Sequence, residues 1–126
     1  MPLAEARARI RLARLRKGAV RLRARSDFER VRREGRAWSH RLLVLVACPN
    51  ELGAARVGVA AGKKLGNAVV RNRAKRLMRE AVRQHAPTLA SGWDLILIAR
   101  AAIVPVKMAD VADALGSLLR QAGLVS

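Results

Sequence analysis

Aromatic side chains are nearly missing from this chain: tyrosine is absent, and phenylalanine and tryptophan occur only as Phe28, Trp38 and Trp93. A membrane-surface protein would set bulky aromatics opposite its lysines, so their scarcity argues against that role. Cysteine is reduced to Cys48. A lone cysteine excludes an internal disulfide, fits a reducing cytoplasm, and reads as a small buried hydrophobe at a strand end. No apolar run approaches the roughly 18–20 residues of a membrane span. The Arg-studded N-terminus also lacks the apolar region of a signal peptide. The expectation is a cytoplasmic protein without a membrane partner. Acids are scarce too, with 9 Asp and Glu against 26 Lys and Arg, a net charge of +17 and a pI near 12.0. Solubility needs far less, so the partner is a polyanion, and nucleic acid fits best.

With 126 residues there is room for one domain and one modest core. Residues 1–41 carry fourteen bases and four acids, whereas residues 84–126 carry three of each. The C-terminal third is therefore scaffold, and the interaction surface lies before it. Residues 1–20 are Ala/Arg-rich with few large apolar residues, which reads as a flexible basic arm. Residues 21–126 make up a single RNA-binding α/β domain.

Within that domain, Ser26-Asp27-Phe28-Glu29 has the form of a capping box, with Ser26 as N-cap. It opens a helix that turns Phe28 and Val31 inward and ends at Gly35. The apolar run Leu42 to Ala47 reads as a buried strand, stopped by Cys48-Pro49-Asn50. Arg56 to Ala61 is a second strand. Gly66-Asn67 turns the chain into a helix running to about Gln84, with Asn67 as N-cap and Pro87 beyond its end. Asp94 to Ala99 is apolar on both faces and so belongs at the centre of the sheet. A last helix spans about Val106 to Ala122 and closes at Gly123. The order α-β-β-α-β-α describes a small α+β domain with helices packed on one sheet.

The segment KKLGNAVVRNRAKRLMREAVR, Lys63 to Arg83, holds eight bases and one acid, Glu80, and still keeps an apolar stripe. At 100° per residue, Val70, Ala74, Leu77, Met78, Ala81 and Val82 share one sector. Asn72, Lys75, Arg76, Arg79 and Arg83 lie opposite, and Arg71 and Arg73 stand at the two borders. A solvated surface helix would alternate these bases with acids. Here like charges face each other at i,i+3 and i,i+4, a repulsion that an anion relieves. The helix docks by one face and offers the other to a phosphate backbone.

Other chemistry finds little support. Lys63-Lys64 follow a glycine, but Gly58 and Gly62 are one residue too close for a phosphate-binding loop, and Lys64 stands where its hydroxyl residue belongs. The lysines suit backbone phosphates beside a helix N-terminus instead. His40 and His85 are not spaced as an acid–base pair, and no metal-ligand cluster is apparent. Trp38 and Trp93 beside polar turns suit packing better than base stacking. No protein catalytic residue and no small-molecule substrate are expected.

The run ARVGVAAGKKLGNAVVRNRAKRLMREAVR, with Arg71-Asn72-Arg73 at its centre, closely resembles the signature of the bacterial ribonuclease P protein component. SDFERVRREG before it, LLVLVACPN as a first strand and DLILIAR after it extend the resemblance over about residues 20–122. The resemblance implies a protein subunit of a ribonucleoprotein endonuclease that removes the 5′ leader of precursor tRNA. The RNA subunit is then the catalyst, with Mg²⁺ held mainly by RNA. It also implies a two-layer α/β sandwich, ribosomal protein S5 domain 2-like, whose RNR helix lies in a left-handed βαβ crossover, against the general handedness rule. By position, Arg71, Asn72, Arg73, Lys75, Arg76 and Arg79 contact the catalytic RNA, helped by Lys63, Lys64 and Asn67. The tRNA leader lies in a cleft near Phe28, Arg32, Val46, Gly62, Leu97 and Ala99. Arg32 and Val46 stand where the family often has aromatics, and Gly62 where it often has serine. Leader stacking is then weaker by roughly 1–3 kcal/mol per lost platform. The competing class is a structural RNA binder, a ribosomal protein or RNA chaperone, with no part in cleavage.

Overall fold

The apolar segment around Asp94–Ala99 forms the central strand of a five-stranded sheet, with a strand hydrogen-bonded along each edge. The computed structural model describes residues 20–125. The elements in chain order are β1 (Val20–Arg21), α1 (Arg25–Glu34), β2 (Arg36–Ser39), β3 (Leu43–Pro49), β4 (Arg56–Ala60), α2 (Ala68–His85), β5 (Trp93–Ala99) and α3 (Met108–Ala122). The sheet order is β1-β4-β5-β3-β2. β4 is parallel to β1 and β5, and the other pairs are antiparallel. The six elements read from the sequence are present in their expected order, and the helix α2 is the crossover between parallel neighbours β4 and β5. Two edge strands, β1 and β2, are added to them. The expected arm, residues 1–20, lies outside the described residues except for Val20.

Alternation along the strands divides the core in two. Leu43, Leu45, Val57, Leu95 and Leu97 point to one face, where α2 supplies Ala74, Met78 and Ala81 and α3 supplies Val111, Leu115 and Leu118. Val46, Cys48 and Ile96 point to the other face, under Leu22 and Val31, with Phe28 at the margin. Cys48 is thus the buried hydrophobe expected of it. Trp38 and Trp93 both pack at the edge of the larger core, and the Arg36 guanidinium sits 5.3 Å from the Trp38 ring centroid. Gly123 closes α3 in the left-handed conformation, φ 72°, as a helix C-terminus favours.

One local expectation fails. Ser26 does not cap α1. The helix begins at Arg25 with Ala24 as its N-cap and no side-chain cap bond. Leu22 donates its backbone N–H to Val57 O at 2.8 Å, so the chain leaves the sheet and enters the helix before Ser26. Glu29 is also engaged, accepting from Arg25 Nε at 3.1 Å, one helical turn away.

Candidate nucleic-acid interface

The helix α2 starts where its sequence says it should. Gly66 (φ 143°) turns the chain, and the Asn67 side chain accepts from Val70 N at 3.1 Å. Ala74, Met78 and Ala81 of its apolar stripe are buried against β4, β5 and α3, with Leu77 and Val82 half-buried beside them, leaving Asn72, Arg76, Arg79 and Arg83 exposed. The lone acid of the segment, Glu80, is taken by Arg83 (Nη2–Oε1 2.5 Å, Nε–Oε2 3.0 Å). That pairing holds the Glu80 carboxyl below its ordinary pKa and raises that of Arg83. Among the described residues, Lys63, Lys64, Lys75, Arg76 and Arg79 form no ion pair, and Lys63 and Lys64 are exposed in a 3-10 turn just ahead of the helix. Val69 adds an exposed apolar side chain at the start of this basic face.

The two border arginines behave differently from the exposed ones. Both are half-buried. Arg71 has its Nε buried with no hydrogen-bond partner among the described residues. Arg73 donates from Nη1 to Val104 O (2.7 Å) and from Nη2 to Val106 O (2.9 Å). Arg73 was expected to contact RNA directly. Its two terminal nitrogens also fasten α2 to the segment after β5, because its place at the border of the stripe points it at the neighbouring chain.

Sequence reasoning passed over two arginines. Arg21 and Arg23, both exposed, stand close enough to Arg79 to act on its charge. Desolvation first, then the positive charges of Arg21 and Arg23, hold the Arg79 guanidinium below its ordinary pKa. Such a short edge strand carries no periodic signal, so nothing in the sequence marks the two as neighbours of α2.

On the opposite face the strand registers define three rows: Arg56–Asp94–Cys48, Gly58–Ile96–Val46 and Ala60–Ile98–Val44. The helix α1 covers the first two. In the first row Asp94 is completely buried. It accepts from Arg30 Nη2, from Arg56 (Nε 2.7 Å, Nη2 2.6 Å) and from Asn50 Nδ2 at 2.8 Å. Burial pushes the Asp94 carboxyl upward, but the hydrogen bonds from Arg56 and Asn50, the Arg56 charge and the Arg30 bond outweigh it and hold the carboxyl below the usual carboxylate range. Arg56 is correspondingly raised, first by its hydrogen bond to Asp94. In the second row the Phe28 ring lies on Gly58, where an added Cβ would come within 2.8 Å of Phe28 Cε2. The third row stays half-exposed. Beside this open end, Arg41, Lys63, Lys64 and Arg100 are all exposed bases on the segments that enter β3 or leave β4 and β5.

This arrangement brings only part of the expected leader cleft together. Phe28 is half-buried, Arg32 and Gly62 are exposed, and Val46 is buried under α1. Leu97 and Ala99, 1% and 7% exposed, lie on the other face, beneath α2 and α3. Their placement in the cleft is corrected by one residue of register. The half-exposed floor is Val44, Ile98 and Ala60. A strand apolar on both faces gives no alternation from which to read the parity. His40 accepts from Leu42 N at 3.0 Å and His85 bonds Ala112 O at 2.9 Å, so each serves its own local contact. Among the described residues no group of three or more His, Cys, Asp or Glu could hold a metal ion, and no helix is long and apolar enough to cross a membrane.

Comparison with known proteins places this geometry. The family model described as Ribonuclease P matches residues 16–123. A ribonuclease P protein component from Roseiflexus castenholzii is 44% identical over 110 residues, covering 86% of this chain and 90% of that protein. Its counterpart in Clostridium acetobutylicum is 39% identical over 107 residues, covering 83% and 90%. Among solved structures, the Staphylococcus aureus RNase P protein superposes with a TM-score of 0.77 at 32% identity, covering 86% of this chain and 99% of that one. The RNase P protein from Thermotoga maritima gives 0.74 at 30% identity, covering 80% and 96%. Sequence likeness and fold likeness each cover most of the chain, and the chain belongs to the ribonuclease P protein family.

Proposed function

We propose that this chain is the protein subunit of ribonuclease P and assists removal of the 5′ leader from precursor tRNA in the cytoplasm. The observation that carries this reading is the exposed face of α2, whose Arg76 and Arg79 have no acidic partner among the described residues while the nearby Glu80 is engaged by Arg83. Such a face binds the catalytic RNA by its phosphates. Asn72, Arg76 and Arg79 make the contacts, with Lys75 and Arg71 at the flanks and Lys63 and Lys64 at the helix start. Asn67 holds the N-terminus of α2, and Arg73 fixes the neighbouring segment. The leader lies across Val44, Ile98 and Ala60, with Phe28 and Arg32 along one side and the bases at the open end taking its phosphates.

Catalysis belongs to the RNA. Among the described residues, both oxygens of the one buried carboxylate, Asp94, are already occupied by Arg30, Arg56 and Asn50, and no metal seat is offered. In this reading the Mg²⁺ of the reaction would be held mainly by RNA, where it would supply Lewis acidity. The protein's own residues bind and orient the two RNA strands. The test is 5′ processing of a leader-bearing precursor tRNA by a bacterial ribonuclease P RNA at low Mg²⁺, with and without this protein. The expected result is processing that needs both components and is absent with protein alone. No stimulation of a correctly folded cognate RNA would leave a structural RNA binder. Cleavage by the protein alone would overturn the assignment of chemistry to the RNA.

A further inference from the structure

We propose that the RNA-binding surface of α2 continues across the sheet edge onto β1, where Arg21 and Arg23 join Arg79 in seating an RNA backbone. The inference rests on the reading of α2 given above. Arg21 pairs with Val57 in register, and Val57 belongs to the core beneath α2. Directly paired residues share a face, so Arg21 and, two residues on, Arg23 lie on the side of the sheet that carries α2. Leu22 between them points the other way and is buried with Val31 and Ile96. Consistent with this, the Arg79 guanidinium is held below its ordinary pKa by desolvation first and then by the charges of Arg21 and Arg23.

Nothing described neutralises this cluster. Among the described residues, Arg21, Arg23 and Arg79 form no ion pair or hydrogen bond, although acids stand on neighbouring elements. Asp27 and Asp94 face Arg30 and Arg56, Glu29 faces Arg25, and Glu80 faces Arg83. Three uncompensated guanidiniums held by two separate elements call for an extended polyanion that spans both, and a nucleic-acid backbone supplies phosphates at that scale. The tie between the elements is slight. β1 is two residues long and is fastened by Val20 N to Ala55 O (2.9 Å), Leu22 N to Val57 O (2.8 Å) and the buried Leu22 side chain. An RNA bridging Arg21, Arg23 and Arg79 relieves their repulsion and clamps β1 to the domain.

The experiment measures binding of a transcribed bacterial ribonuclease P RNA to the full chain across a salt series. The variants are Arg21→Gln with Arg23→Gln, Arg76→Gln, and Arg21→Lys with Arg23→Lys. Each lost phosphate contact lowers the slope of log K against log salt by about one. The expected result is a slope lower by about two in the double glutamine variant, by about one in Arg76→Gln, and restored by the lysines. In the wild type, exchange of the Leu22 amide slows when RNA is added. A normal slope in the double glutamine variant, with Arg76→Gln still reduced, would overturn the extension and leave the α2 interface standing. Normal slopes in both would overturn the α2 reading itself. If the double glutamine variant fails to fold, the amide exchange decides: no slowing of Leu22 on RNA addition overturns the proposal.

Discussion

Removing the Asp94 carboxylate should be among the most costly single changes this domain can suffer. Asp94 is 0% exposed, and its partners Arg56 and Arg30 have side chains 18% and 28% exposed. Asp94→Ala leaves two half-buried guanidiniums with only the more distant Asp27 as an acidic partner (3.5 Å from Arg56, 3.9 Å from Arg30) and the Asn50 amide with Ala54 O alone. Breaking a buried ion pair from one side costs about 3–5 kcal/mol. Both arginines can partly rewet, which places the expected loss near the lower end, about 3 kcal/mol. Against a typical stability of about 5–15 kcal/mol that is a large share, and with an m-value of about 1–2 kcal/mol/M it moves the urea midpoint by roughly 2 M. The acid limb gives a second reading. The folded pKa lies below the unfolded one, so the unfolded chain takes up the proton first as pH falls. The stabilisation is complete above the unfolded value, about 3.9, and disappears as pH drops through the folded value. The wild type and Asp94→Ala should therefore converge on acidification. Because Asp94 also tethers α1 through Arg30, the variant should lose leader-dependent tRNA binding more than affinity for the RNA subunit. A cost under about 1 kcal/mol at neutral pH, or a gap that widens in acid, would refute the reasoning.

Arg73→Ala should destabilise the protein by about 1.5–3 kcal/mol through its lost carbonyl contacts and leave the salt slope of RNA binding unchanged. Arg76→Ala should do the reverse, lowering the slope by about one at little cost in stability. Gly58→Ala should cost about 1–3 kcal/mol by lifting the Phe28 ring, and combination with Phe28→Leu should recover part of it, a coupling that a double-mutant cycle in urea measures. Asn67→Ala should cost about 1 kcal/mol of cap energy. Asn67→Asp should keep the cap yet weaken RNA binding, which parallel melting and filter-binding series would separate.

The two long helices and the three inner strands were legible because each has a period or a punctuation of its own. Asn67 at a helix start, Gly123 at a helix end and the doubly apolar run after Asp94 are local signals with local causes. What stayed hidden depends on neighbours. Glu29 could not be seen to prefer Arg25 over the helix cap. Nothing inside DLILIA tells Leu97 from Ile98, since the run is apolar at both parities and the helices set which of the two is covered. Arg71 and Arg73 both stand at borders of the helical wheel, and the wheel does not show that the Arg73 border faces the segment at Val104–Val106. Asp94 did carry a hint, an acid opening an apolar run in a chain with 9 acids, and only the fold shows that Arg30, Arg56 and Asn50 converge on it.

The sheet order has a consequence for how the domain comes together. β2 and β3 are joined by a three-residue link and can zip as soon as they are made. Every other pairing closes a long loop, and β1 must wait for β4, from Val20 across to Arg56. The first described strand in the chain thus finds its partner only after β4 has been made. An RNA that bridges Arg21, Arg23 and Arg79 would need β1 already paired with β4 and α2 already in place.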